Sequence, residues 1–313
     1  MEHSLRCAVM AAESTQIAFT IGARRLFTID RVLDPFAFSL EEALAGIAPT
    51  RPLDNPHCDG IRVLSAPLAM ERQIVAAFPD HIAGAREEFH RHYIAMDGSF
   101  EDYLARFSGK TRGTLRRKAR KFAQTDGGAL DIRAYTTAVE VEHFLQLALP
   151  LSGKTYQARL LDAGLPDGDA ARDEMLAEAA AGRMRCFLLF LRGEPVAYLS
   201  LPVRGQTLVY AHLGYDPAHA QLSPGTVLQM EALRMLFAEE RFRFFDFTEG
   251  DGAHKALFGT NSVACCSFVL LRRTLANRVL LGARAGFDAG VAHAKALVQA
   301  RQSLASARKL LRA

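Results

Sequence analysis

The sequence lacks the patterns that mark metal, redox or nucleotide chemistry. Its 313 residues contain five cysteines, Cys7, Cys58, Cys186, Cys265 and Cys266. An odd number with no C-x-x-C pair supports neither a disulfide framework nor a zinc site, so no metal is expected and a reducing compartment is the default. No H-E-x-x-H, G-x-G-x-x-G or Walker pattern occurs, which leaves metalloprotease, nicotinamide and P-loop chemistry without residues. Sequence-specific nucleic-acid reading also lacks a motif. No stretch approaches the roughly 20 uninterrupted apolar residues of a membrane span. The N-terminal run from Cys7 to Ala12 is shorter than the apolar region of about 7 to 15 residues in a signal peptide. A soluble, cytoplasmic protein is the expectation, with peripheral attachment at the inner face of the membrane as the one other placement. What is present is ordinary for a globular chain: 50% hydrophobic, 9% aromatic and 23% charged residues. The length suffices for two cores of about 150 residues each.

Charge is distributed unevenly. Residues 103 to 125 carry eight basic side chains (Arg106, Lys110, Arg112, Arg116, Arg117, Lys118, Arg120, Lys121) and no acid, and from Arg272 onward nine Lys or Arg face only Asp288. The whole chain is formally +4. A polyanionic partner would meet these two patches first. The alternative is that both are solvated helix faces.

Periodicity and turn signals give a coarse map. QIAFTI and LFTID around Gly22-Ala23-Arg24 predict a hairpin from Thr15 to Arg31. Capping pairs Ser39/Glu42, Ser99/Asp102 and Thr137/Glu140 open helices, and the basic helix near 110 to 124 stops at Gly127-Gly128. Three strands follow at Arg185–Leu191, Val196–Val203 and Thr207–Leu213, antiparallel because their turns are short. Ser223 reads as an N-cap with Pro224 at the first helical position. A helix to about Glu240 then crosses over to a strand from Phe242 to Phe247, which makes that strand a parallel neighbour of Thr207–Leu213. A short helix, 253 to 258, and a strand, 264 to 271, complete the second half. The last helix starts near Leu275 with Leu275, Val279, Phe287 and Val291 spaced for one face, and Gly282, Gly286 and Gly290 spaced for close approach of a neighbour. It is expected to dock on its own domain, or else to lie on an acidic membrane surface.

Three places suit chemistry. The helix N-terminus at Ser223 to Thr226 offers unpaired N–H groups to an anion. On the preceding strand, alternation puts Tyr210 and His212 on one face with Leu208, a hydroxyl and an imidazole fit for acid and base work, against the alternative of core residues. Asp246 to Lys255 gathers three carboxylates (Asp246, Glu249 and Asp251), the His254 imidazole and the Lys255 ammonium at the carboxyl end of a strand, where α/β sheets place ligands.

GYDPAHAQLSPGTVLQMEAL (Gly214 to Leu233) and FFDFTEGDGAHKALFG (Phe244 to Gly259) resemble GNAT-type acyltransferases of the CelD or BioF2-like branch, related to the Fem peptidyltransferases with their tandem GNAT domains. FEDYLARFSGKTRGTLRRKARKF (Phe100 to Phe122) and SGKTYQARL (Ser152 to Leu160) resemble linker segments of that family. The resemblance implies an α/β (α+β) fold of tandem GNAT-like domains with mixed sheets flanked by helices: a degenerate N-terminal domain over 1–135, an acyltransferase domain over 136–271, and a basic amphipathic helix over 272–313. It implies acetyl-CoA or another acyl-CoA as co-substrate, held by Leu213, Gln221, Ser223, Gly225 and Thr226, although Pro224 and a single glycine depart from the usual phosphate loop. Fem relatives take their acyl group from aminoacyl-tRNA, and the basic helix would suit that donor.

The expected reaction is direct N-acyl transfer to an amine of a small molecule, sugar or cell-envelope precursor. Lys255 would stabilise developing charge, and Glu249, Asp251 or His212, with Tyr210 nearby, would supply acid or base. Asp246, Lys154 and Tyr156 are expected on the substrate side. No nucleophilic Ser or Cys motif appears, which favours direct transfer over an acyl-enzyme. The other readings are a Fem-like aminoacyl-tRNA-dependent transferase and a non-catalytic protein that binds polyanions or membrane surfaces.

Overall fold

Short turns and β-branched runs generate most of the sheet, and capped amphipathic segments generate the helices. The computed structural model describes residues 13–21, 24–49, 55, 57–155 and 164–310. In chain order the strands are β1 (Glu13–Ile21), β2 (Arg24–Ala37), β3 (Gly60–Pro67), β4 (His81–Ala95), β5 (Asp131–Tyr135), β6 (Met184–Leu191), β7 (Glu194–Arg204), β8 (Thr207–Val209), β9 (His212–Tyr215), β10 (Phe244–Asp246) and β11 (Asn261–Arg272). The helices are α1 (Leu40–Ala45), α2 (Glu71–Ala76), α3 (Phe100–Ala105), α4 (Gly109–Thr125), α5 (Ala138–Ser152), α6 (Asp169–Ala180), α7 (Pro224–Ala238), α8 (Ala253–Phe258) and α9 (Leu275–Leu310).

Two compact units divide the chain, Met1–Phe89 with Val263–Ala313, and His90–Ser262. These boundaries differ from the expected ones at 135 and 271. The reason is that β11 returns to pair antiparallel with β3 from Cys265 to Leu271, so the first unit is built from both ends of the chain.

In that first unit β1 is antiparallel to β2, and β2 parallel to β3. α1 begins with the predicted capping box, Ser39 accepting from the Glu42 N–H and the Glu42 carboxylate accepting at Ser39. α9 uses only part of the face expected of it, since Phe287 packs against the core of its unit. Leu275 and Val279 are exposed, while Asn277, Leu280 and Leu281 are buried. Leu280 and Leu281 pack with Ile17, Leu33, Val269 and Leu271, so this part of the helix docks within its own unit. Gly282, Gly286 and Gly290 have open space around them among the described residues, not a close neighbour. No described helix is long and apolar enough to cross a membrane.

The second unit has a mixed sheet. The last residues of β4 pair antiparallel with β10, β10 runs parallel to β8, and β8, β7, β6 and β5 continue antiparallel. One face packs on α7 through Leu199, Leu201, Leu208, Phe245, Val227, Leu228 and Leu233. The other face packs on α5 through Cys186, Leu188, Tyr198, Phe144 and Ala148. β6 is buried along its whole length, as expected of a strand covered on both faces. The predicted boxes at Ser99/Asp102 and Thr137/Glu140 both form.

Candidate active site

The expected continuous strand Thr207–Leu213 is interrupted. Val203 faces Leu208 on β7 and β8, whereas Leu199 faces Leu213 on β7 and β9, so one extra residue sits between the two registers. This is a β-bulge at Tyr210 and Ala211. It reverses the alternation: His212 pairs with Ser200 and lies on the face of Tyr198, while Leu208, Tyr210 and Leu213 belong to the opposite, α7-facing core. Tyr210 and His212 therefore do not share a face, contrary to the period-2 expectation. Burial lowers the basicity of His212.

The bulge also separates two parallel strands. β8 and β10 are in register from Thr207/Phe244 to Val209/Asp246, and the Tyr210 N–H reaches the Asp246 carbonyl at 2.8 Å. Beyond that point their partners diverge. β9 pairs with β7, and the Phe247 N–H goes to the His92 carbonyl on β4 at 3.0 Å. The expected strand Phe242–Phe247 is accordingly reduced to Phe244–Asp246. Thr248 follows at φ +62°, a strained conformation for a β-branched residue, and its N–H is tied to Asp246 Oδ1 at 2.9 Å.

α7 starts beside this divergence. Ser223 is left-handed at φ +55° and makes no side-chain cap bond, so the predicted N-cap is not formed, while Pro224 does occupy the first turn. Pro217–Leu222 is a 3-10 helix in place of a glycine-rich loop, and Lys121 of α4 donates from Nζ to the exposed Gln221 carbonyl at 3.2 Å. Gly225 is buried, and a Cβ on it would stand 3.0 Å from Leu213 Cδ2 and 3.2 Å from Tyr215 Cδ1. It brings the helix N-terminus directly against β9. Thr226 is half-buried at the same turn.

Across the divergence lies the polar loop. Asp246, expected on the substrate side, is fully buried and held by Arg91 through Nε–Oδ1 at 3.1 Å and Nη2–Oδ2 at 2.6 Å, which commits it to the sheet. Asp251 accepts from the His90 N–H at 2.8 Å and lies 3.7 Å from His90 Nδ1 and 4.0 Å from His92 Nε2. Glu249 is exposed. Its carbonyl accepts from Lys255 Nζ, which ties the ammonium to the loop. Burial lowers the Lys255 pKa, opposed by the Asp246 and Glu249 charges. A Cβ at Gly259 would meet the Lys255 carbonyl at 2.9 Å and His92 Cβ at 3.2 Å, so this glycine lets α8 end against β4.

His254, next to Lys255, faces another way. Its ring lies 4.7 Å from Phe258 and 6.2 Å from both Phe247 and Tyr210, centroid to centroid. Its Nε2 is 2.7 Å from Oε1 of Gln229, a fully buried residue of α7. Burial raises the Tyr210 pKa well above the ordinary phenol. Arg91, His90, His92 and Gln229 were not singled out from sequence. The alternation in HRHY (His90 to Tyr93) held a signal for the two histidines, and a lone Gln in the apolar turn TVLQM held one for Gln229. Lys154 is exposed, 3.9 Å from Asp216 Oδ2. Tyr156 lies outside the described residues. No three His, Cys, Asp or Glu side chains among the described residues gather as a metal would require.

Residues 109–256, within the second unit, match the family model of the acetyltransferase (GNAT) domain. The crystal structure of FemX has the same fold, with a TM-score of 0.51 at 10% identity over 82% of this chain and 88% of that one. L-PGS from Bacillus licheniformis (TM-score 0.44, 14% identity, 72% of each chain) and a GCN5-related N-acetyltransferase from Kribbella flavida (0.36, 13%, 70% of each) are also similar. No curated protein matches the chain. Residues 109–256 thus carry a GNAT-type acetyltransferase domain, in a chain whose fold is similar to that of FemX.

Proposed function

We propose that the protein is an acyl-CoA-dependent N-acyltransferase that moves the acyl group directly onto an amine of a small molecule, sugar or cell-envelope precursor. The observation that carries this reading is the parting of β9 from the segment after β10 at the Tyr210–Ala211 bulge, beside the N-terminus of α7. Main-chain groups at such a parting can hold a thioester carbonyl and polarise it. The helix terminus offers positive potential to the donor's phosphates. Leu213, Ser223, Gly225 and Thr226 adjoin that turn, and Lys121 stands at Gln221. Lys255 adds an ammonium on the other side, near where negative charge grows on the carbonyl oxygen. No Ser or Cys nucleophile is needed, because the amine attacks the donor itself.

A second reading, transfer from aminoacyl-tRNA, draws on the basic face of α4 and on the 3-10 turn that stands where a glycine-rich phosphate loop would be. Thermal denaturation separates the two. Acetyl-CoA is expected to raise the midpoint more than dephosphorylated pantetheine does, and free thiol is expected to appear only when an amine is added. Stabilisation by charged tRNA, with no shift from any CoA species, would overturn the first reading and establish the second.

A further inference from the structure

We infer that His254 is the base that takes the proton from the attacking amine, and that Gln229 is the positioning residue that leaves one imidazole nitrogen bare for it. The inference rests on the acyl-CoA reading above and names the base within that site.

Gln229 is fully buried in α7, yet its Nε2 has no hydrogen-bond partner among the described residues. A buried amide N–H₂ with no protein partner costs free energy, which directs attention to what the amide's other end holds. That other end is Oε1, 2.7 Å from His254 Nε2. A carbonyl oxygen only accepts, so with the Gln229 amide in this orientation Nε2 carries the hydrogen and the lone pair lies on Nδ1. The same bond persists when the ring becomes cationic, and it then stabilises the charge. The ring sits against Tyr210 and Phe247, the two residues at which the parallel strands part.

The other base candidates are placed worse. His212 lies on the opposite face of the bulged strand, Asp251 is engaged by the His90 N–H, and Glu249 stands on the outer loop, whereas the buried Gln229 side chain orients His254. Burial, then the charges of Lys255 and Lys118, lower the His254 pKa, a shift that favours the uncharged ring. Tyr210 faces it as a phenol whose own pKa is raised by burial. In the step itself an amine that arrives neutral forms the N–C bond while the C–S bond of the thioester breaks. The amine's proton passes to Nδ1 of His254, and the departing thiolate takes that proton back.

The test uses the full chain, acetyl-CoA and a panel of primary amines, with free thiol measured from about pH 5 to 9. His254→Gln is expected to lower kcat/KM at least about a hundredfold, the scale of general-base catalysis, and to remove the acidic limb that remains once the rate is expressed per neutral amine, with the thermal midpoint unchanged. Gln229→Leu is expected to lower kcat about tenfold and to shift that limb, which a merely structural glutamine would not do. Nitrogen NMR of the ring is expected to show hydrogen on Nε2. An active wild type whose profile survives His254→Gln, or a ring with its hydrogen on Nδ1, would overturn the inference while the acyl-CoA reading stands. A wild type that transfers nothing to any amine would overturn both.

Discussion

The Arg91 guanidinium grips the Asp246 carboxylate with two parallel hydrogen bonds, 3.1 and 2.6 Å long, in a site where Asp246 has no exposed surface and Arg91 only 6%. The pair joins β4 to the end of β10, one residue before the strands part. Removing one partner strands the other charge. Arg91→Met and Asp246→Asn are each expected to destabilise the fold by about 3 to 5 kcal/mol in urea unfolding. The double change Arg91→Met with Asp246→Leu should recover part of that loss. Recovery will be incomplete, because the Thr248 N–H loses its acceptor.

Acid stability should carry the signature of a helix cap. Backbone N–H groups of Thr137 and Thr136 hold Glu140 down to a pKa of about 2. The folded-state pKa lies below the unfolded one, so the stabilisation is full above the ordinary glutamate range near pH 4.5 and is lost as pH falls towards 2. Glu140 is exposed, so solvent screening limits the effect to about 1 kcal/mol or less. Glu140→Gln should flatten that limb of the stability curve, and Thr137→Ala should cost about 1 kcal/mol at neutral pH.

These caps were legible because their chemistry is local: Ser39/Glu42, Ser99/Asp102 and Thr137/Glu140 each span one helical turn. The α8 boundaries and the antiparallel run β6 to β8 were legible for the same reason, through glycines and short turns. The bulge at Tyr210–Ala211 was not, since period-2 reading assumes an unbroken ladder, and a single inserted residue sent His212 to the other face. The Arg91–Asp246 and Gln229–His254 contacts join residues 155 and 25 positions apart, and nothing in local spacing selects them. Ser223 has the composition of an N-cap but adopts a left-handed conformation, because it also ends the 3-10 turn before it as that turn's C-cap.

Lys255 separates catalysis from folding. Its ammonium is held by one carbonyl, that of Glu249, and its buried surroundings make it easier to deprotonate than an ordinary lysine. Lys255→Ala is expected to abolish acyl transfer, by about a hundredfold or more if it stabilises the developing oxyanion, with far-ultraviolet dichroism unchanged. Lys255→Arg should restore charge but not the geometry at the loop, leaving transfer below a tenth of wild type. Unchanged turnover in Lys255→Ala would remove this residue from the mechanism.

Gly225 tests the packing that brings the helix terminus to the parting strands. An added methyl group would lie 3.0 Å from Leu213 and 3.2 Å from Tyr215, tighter than ordinary contact, so β9 or α7 must shift by a few tenths of an ångström. Both aromatic and aliphatic partners belong to the core beneath the sheet, which resists such shifts. Gly225→Ala should therefore cost about 1 to 3 kcal/mol in unfolding experiments. Its effect on the donor should be larger in proportion, because the displaced helix turn carries the N–H groups proposed to meet the phosphates. Gly259→Ala, which crowds the Lys255 carbonyl at the far end of α8, should match it in lost stability. It should leave acetyl-CoA affinity near wild type, since it lies away from the α7 terminus. Equal losses of acetyl-CoA affinity in the two variants, measured by calorimetry, would show that the donor does not sit at the α7 terminus.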